Sequence, residues 1–209
     1  MVPGTYTVKM TRGKDTYTTP VVLTLDPRAK YTVEDRKLNF DATMRVYSLL
    51  GDMTFDVERI IAVREALANR AAKLDPKDPL RKKLDDLAAL ADDIRKKIVA
   101  TKEGGAVTGE ERIREKTTQL YGALVSYEGR PADYQVARID SLKRELDDVV
   151  KEFDTFIATN VKDANSSLSR KKLELIHPLT REEWDKANSE SESSGAATPM
   201  SKMQWRERD

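Results

Sequence analysis

The stretch that decides the fold is residues 46–74, VYSLLGDMTFDVERIIAVREALANRAAKL. Within it Val46, Leu50, Met53, Val57, Ile60, Leu67, Ala71 and Leu74 fall at alternating steps of four and three, and only Arg64 interrupts the apolar series. That spacing returns side chains to one face of a 3.6-residue helix, so it predicts a long helix packed nearly parallel or antiparallel to its partners. Upstream, Thr32-Val33-Glu34-Asp35 offers a threonine N-cap with an acid three residues on, which sets the helix start. Gly51 lies inside the pattern, where it either kinks the helix or admits a close neighbour, at a cost of up to about 1 kcal/mol relative to Ala.

Downstream, Asp75-Pro76-Lys77-Asp78-Pro79 reads as a turn with Asp78 as N-cap and Pro79 in the first helical position. A second helix over about 79–102 carries Leu80, Leu84, Leu87, Ala91, Ile94 and Ile98, and Gly104-Gly105 breaks it. Thr108-Gly109-Glu110-Glu111 starts a third, shorter helix with Ile113, Leu120, Leu124 and Tyr127. The fourth follows Glu128-Gly129-Arg130-Pro131 and covers about 131–168, with Ile139, Leu142, Leu146, Val149 or Val150, Phe153, Ile157, Ala164 and Leu168. Short links force successive helices to alternate in direction. The expected fold class is mainly α: an antiparallel up-down bundle of about four helices, two of them long, over residues 28–187. The two long helices should project past the short pair. From Asn188 the chain is rich in Ser, Glu and Gly, so 188–209 reads as a disordered tail.

Residues 1–27 read differently. Thr5-Tyr6-Thr7-Val8-Lys9-Met10-Thr11 alternates, as does Thr16-Tyr17-Thr18-Thr19 ahead of Pro20-Val21-Val22-Leu23, and Arg12-Gly13-Lys14-Asp15 between them suits a tight turn. A lone hairpin is marginal in water and needs a partner surface. It is expected either to lie against the helices, in the overhang of the long pair, or to be the remnant of a sheet whose other strands are missing.

Composition narrows the function classes. Charged residues make up 35% of the 209 and apolar ones 39%, which fits helices with heavily charged outer faces. No run approaches the roughly 18 apolar residues that span a bilayer, so no membrane insertion is expected. Lys+Arg 37 against Asp+Glu 36 leaves little net potential to collect phosphates, so no nucleic-acid partner is expected either. The chain has no Cys, which removes disulfides, thiolate zinc sites and cysteine nucleophiles together. Met1-Val2-Pro3-Gly4-Thr5-Tyr6 carries neither a basic region nor an apolar stretch, so no signal peptide is read there.

No side chain is assigned as catalytic, cofactor-binding or metal-binding. His177 is the only histidine and lacks the further ligands or orienting acid that a metal site or a dyad needs. Asp85-Asp86, Asp92-Asp93 and Asp147-Asp148 are tandem acids, the motif a carboxylate metal-dependent hydrolase would require. Yet Arg81 and Lys82 precede the first pair by four residues, and Lys96 and Lys97 follow the second by four, the spacing of ion pairs on a solvated helix face. Of the basic triplets Arg81-Lys82-Lys83, Arg95-Lys96-Lys97 and Arg170-Lys171-Lys172, only the last has no acids beside it, and no aromatics interleave it for base stacking. Tyr121, Tyr127, Phe153 and Phe156 are expected in the core, the Asn165-Ser166-Ser167 glycosylation sequon is discounted because it falls inside a helix, and Trp205 is either an anchor for a partner or an unpacked residue of the tail.

Two segments carry a resemblance. Val2-Pro3-Gly4-Thr5-Tyr6-Thr7-Val8-Lys9, Tyr17-Thr18-Thr19-Pro20 and Leu25-Asp26-Pro27-Arg28 resemble the closing strands of the immunoglobulin-like module that follows the β-propeller in bacterial sialidase-like, "glycosyl hydrolase" or sortilin-type proteins. Glu128-Gly129-Arg130-Pro131 and the Asn165-to-Leu179 stretch, ending Leu175-Ile176-His177-Pro178-Leu179, resemble the C-terminal helical extension of the same proteins. The resemblance covers residues 2–184. It implies that this is the C-terminal part of an extracytoplasmic protein, periplasmic or secreted, with any glycan or peptide chemistry in a propeller that is not present. It implies a non-catalytic accessory or assembly module whose partners are its own propeller and immunoglobulin-like domains or a homo-oligomer, without a cofactor. A free-standing cytoplasmic coiled-coil adaptor is the alternative.

Overall fold

The computed structural model describes residues 1–102 and 109–193. The protein is mainly helical with an N-terminal two-stranded antiparallel hairpin. Strand β1 (Gly4–Arg12) and strand β2 (Asp15–Leu23) precede helices α1 (Val33–Ala72), α2 (Pro79–Ile98), α3 (Ile113–Val125) and α4 (Asp133–Phe156). A five-residue π turn (Ile157–Val161) joins α4 to α5 (Lys162–Arg170), and α6 is Arg181–Ser193. The expected Gly104-Gly105 break, the Thr108 helix start and Trp205 lie outside the described residues.

Helix α1 begins where its capping signal places it. Thr32 Oγ1 accepts from the Asp35 N–H at 3.1 Å, and the Asp35 carboxylate accepts from the Thr32 N–H at 3.0 Å. Asp78 caps α2 in the same way, accepting from the Leu80 N–H at 2.9 Å. Helix α3 starts later than expected, at Ile113. The carboxylate of Glu115 accepts from the Arg112 N–H at 2.9 Å, and the two acids read as the helix start remain outside it.

Side-chain pairs across the helices give their directions. Arg45 pairs with Asp140 and Arg59 with Asp154, so α1 and α4 advance in the same sense. Arg64 with Asp92 sets α2 against α1. Lys97 with Glu152, and Lys83 with Asp163, set α2 against α4 and α5. The Asn39 amide donates to the Leu124 carbonyl and Tyr47 stands beside Tyr121, so α3 also opposes α1. Strict alternation therefore fails at the 99–112 link, because α3 carries on in the direction of α2. Length explains it: α1, 40 residues, is about 60 Å long, whereas α2 and α3, with 20 and 13, reach about 30 and 20 Å. Laid end to end the two cover one long helix, and neither covers it alone.

The core follows the apolar stripes. All six α2 positions expected inside are buried, as are Val46, Leu50, Met53, Val57, Ile60, Leu67 and Ala71 of α1. Val149 rather than Val150 takes the core position in α4. Tyr127 departs from expectation: it is exposed at 55%, past the end of α3. A methyl group at Gly51 would meet nothing within 4 Å, so no close approach of a neighbour occurs there.

The π turn has a readable cause. Leu146, Val149, Phe153 and Phe156 keep helical spacing, and the next step of four would bring polar Asn160 to the seam. Widening one turn by a residue brings Val161 there instead, after which Ala164 and Leu168 are buried in regular spacing.

After α5 the chain turns back at Lys172, whose φ of 57° is left-handed. Asn165 fixes the return, donating to the Ile176 carbonyl at 2.9 Å and accepting from its N–H at 2.8 Å. The sequon asparagine thus has a packing role. Helix α6 extends six residues into the stretch read as tail, and its Trp184 is buried against α1. The Trp184 ring meets Phe55 edge-on, and its Nε1–H donates to Glu58 at 2.7 Å. The Arg181 guanidinium lies 5.2 Å from the Phe55 ring and 5.0 Å from the Trp184 ring, and it pairs with Asp52 at 3.0 Å.

Candidate functional site

The feature that the helices do not absorb is the hairpin. Neither strand contains a buried residue, so the expected docking into an overhang does not occur. Gly13, with φ of 62°, opens the two-residue turn, and the register runs from Arg12 opposite Asp15 to Gly4 opposite Leu23. Because side chains alternate across a strand, this register puts Tyr6, Val8 and Met10 on one face with Tyr17, Val21 and Leu23. Thr5, Thr7, Lys9, Thr11, Thr16 and Thr18 occupy the other with Pro20 and Val22, while Thr19 lies opposite Val8 on the mainly apolar face. The apolar face is open, with Val8 and Tyr17 each 50% and Met10 58% exposed. It covers about 300 Å² at strand spacing, the scale of the largest exposed patch on a typical monomer.

The two outer edges of the hairpin differ. With a two-residue turn, the pair next to it exchanges hydrogen bonds, and bonded and non-bonded pairs then alternate. Counting from Arg12–Asp15, the pair Thr7–Pro20 is non-bonded, so the missing N–H of Pro20 belongs to the outer edge of β2. The outer edge of β1, formed by Thr5, Thr7, Lys9 and Thr11, contains no proline and keeps every donor and acceptor.

The tandem acids are not gathered at one place. Asp85, Asp86, Asp93, Asp147 and Asp148 are all exposed, and Lys143 pairs with Asp147 at 2.8 Å. Asp92 alone is largely covered. It accepts from Arg64 at 2.9 Å, Arg95 at 2.9 Å and Lys96 at 2.8 Å. Burial pushes its carboxyl up, but the hydrogen bonds from Lys96, Arg95 and Arg64 outweigh that and hold it well below the usual carboxylate range. Among the described residues no three carboxylates or imidazoles converge as a metal-holding group. His177 is exposed. Lys171 pairs with Asp78, Lys83 pairs with Asp163, and Glu174, three residues after Lys171, pairs with Arg70. No described helix is long and apolar enough to cross a membrane.

Sequence reading gave no sign of Asp56, which is half-buried on α1. Burial pushes its carboxyl up to about 6; nearby Asp52 and Asp154 add to the rise, while Arg59 and Arg181 oppose it. A folded-state value above the unfolded one means the folded chain holds the proton more tightly. Ionised Asp56 therefore costs stability above about pH 6, and the cost fades as pH falls to about 4. Asp56→Asn is expected to raise stability by about 1 kcal/mol at pH 7.5, discounted for its partial exposure, with no gain at pH 4. Urea unfolding of both proteins at the two pH values checks it.

No protein family, curated protein or solved structure matches this chain.

Proposed function

We propose that this chain is a non-catalytic accessory and assembly module, with the helices as a stiff mount and the hairpin as the contact element. One observation carries the reading: an amphipathic hairpin whose apolar face is left uncovered by the other described residues. Two strands alone are marginal in water, so the hairpin gains most of its stability from whatever covers it. The charged helix faces support the same view, because their acids are dressed with lysine and arginine partners rather than converging on a pocket. The resemblance of both segments favours a place at the C-terminal end of an extracytoplasmic β-propeller protein, the contact being with that protein's own domains or with another copy.

The test is thermal unfolding followed by circular dichroism, for the whole chain and for one lacking residues 1–27. The helical signal and a cooperative transition are expected to survive, with the midpoint moved by less than about 4 °C, equivalent to under 1 kcal/mol for a domain of this size. If cooperativity disappears, the hairpin is part of the helical core and the reading fails.

A further inference from the structure

We propose that the hairpin is a self-pairing element: the outer edge of β1 joins antiparallel to the same edge of a second copy, making one four-stranded sheet across two chains. The inference rests on the hairpin being the contact element and names its partner. Pro20 removes a donor from the β2 edge and so leaves β1 as the strand able to extend the sheet. An antiparallel strand paired with itself satisfies a two-fold axis, the commonest symmetry of homo-oligomers.

The sequence of β1 fits such pairing in a particular register. With the axis at Val8, Val8 faces Val8 of the second copy, Tyr6 faces Met10, Thr7 faces Lys9, Thr5 faces Thr11 and Gly4 faces Arg12. Neither cation meets its own copy: Lys9 opposes a threonine and Arg12 a glycine. The outward groups of Thr5, Thr7, Lys9 and Thr11 then form the bonded pairs, and the apolar side chains of both hairpins share one face. Moving the axis one residue to Lys9 sets Lys9 against itself, which opposes that register. Four strands also exceed the minimum of about three at which a sheet with an apolar face becomes stable. The surface removed is well below the roughly 800 Å² per partner of a tight complex, so association belongs in the micromolar range or weaker.

Sedimentation velocity of the full chain over a wide concentration range tests this. A concentration-dependent dimer is expected, with slowed hydrogen exchange at Thr5, Thr7, Lys9 and Thr11 at high concentration. Thr7→Pro removes one outward N–H and no bond within the hairpin, and should weaken the dimer by about tenfold or more. Thr18→Pro, on the β2 edge, should leave it unchanged. Should Thr7→Pro disrupt the hairpin itself, seen as lost protection at Tyr6 and Met10, mixing Val8→Lys with Val8→Glu gives a second route. Each variant alone should be monomeric and the mixture should dimerise. A monomer at every concentration overturns the proposal, and so does a dimer indifferent to Thr7→Pro in an intact hairpin. With the fold intact after loss of residues 1–27, those outcomes remove the second copy alone. Collapse of the helices on that deletion removes the underlying reading.

Discussion

Asp92→Ala is expected to lower stability by about 2 kcal/mol at pH 7, more than any other single charge change in the helical body. Asp92 is 20% exposed and collects three cations, from Arg64 on α1 and from Arg95 and Lys96 on its own helix. Removing it leaves Arg95, itself 18% exposed, without that partner in a half-dry site. Breaking a fully buried pair costs about 3–5 kcal/mol; Lys96 and Arg64 reach water, which brings the figure down. The pH dependence gives the sign. Its folded-state pKa is depressed, so the stabilisation is whole above the unfolded value near 3.8 and drains away as pH falls below it. The gap between wild type and variant in urea should be constant from pH 5 to 8 and narrow below about pH 4. A gap unchanged by acid would mean that Asp92 acts by packing and not by charge.

That site also shows what the sequence disclosed. Arg64 stands out as the one break in the α1 stripe, and the four-residue spacing of Asp92 to Lys96 is visible along α2. That Arg64 and Asp92 meet depends on how two helices are set side by side, which no local pattern records. The stripes themselves transferred well because burial of apolar side chains fixes helix faces with little help from context: every α2 position is inside. Direction transferred across the links from α1 to α2 and from α3 to α4, and failed only between α2 and α3. The rule that links reverse the chain assumes short links, whereas the one between α2 and α3 is long enough to carry the chain onward.

The start of α6 and the face of the hairpin are each written in the sequence. Thr180 and Glu183 form a capping box, with the Glu183 carboxylate accepting from the Thr180 N–H at 2.9 Å, and Trp184 follows directly; together they announce α6. The alternation of Tyr6, Val8 and Met10 marks an amphipathic hairpin, but alternation says which face is apolar and nothing of what covers it. The open apolar face was legible as chemistry and not as a site, because a site is defined by absent neighbours.

The π turn supports the sharpest contrast in expected effect. Deleting Thr159, which is exposed, should convert the turn to regular α-helix. Phe156 and Val161 then stand four apart, Ala164 and Leu168 keep their spacing, and no core side chain changes place. The stability change should stay within about 1 kcal/mol, chiefly the loss of a few local hydrogen bonds. Deleting Asp148, equally exposed, should unfold the protein. Everything after it rotates by about 100°, which brings Asp154 to the place of Phe153 and Ile157 to that of Phe156. Loss of a buried phenylalanine costs about 3–5 kcal/mol before the burial of a carboxylate is added. Relaxing the π turn can restore the register from Val161 onward, but it cannot rescue the roughly three helical turns between the deletion and that point. Urea unfolding of both deletions separates the cases. Equal damage from the two would mean that the wide turn serves something other than the phase of the helix, such as the hydrogen bonds that Thr159 makes to the Thr155 carbonyl and to Asn160.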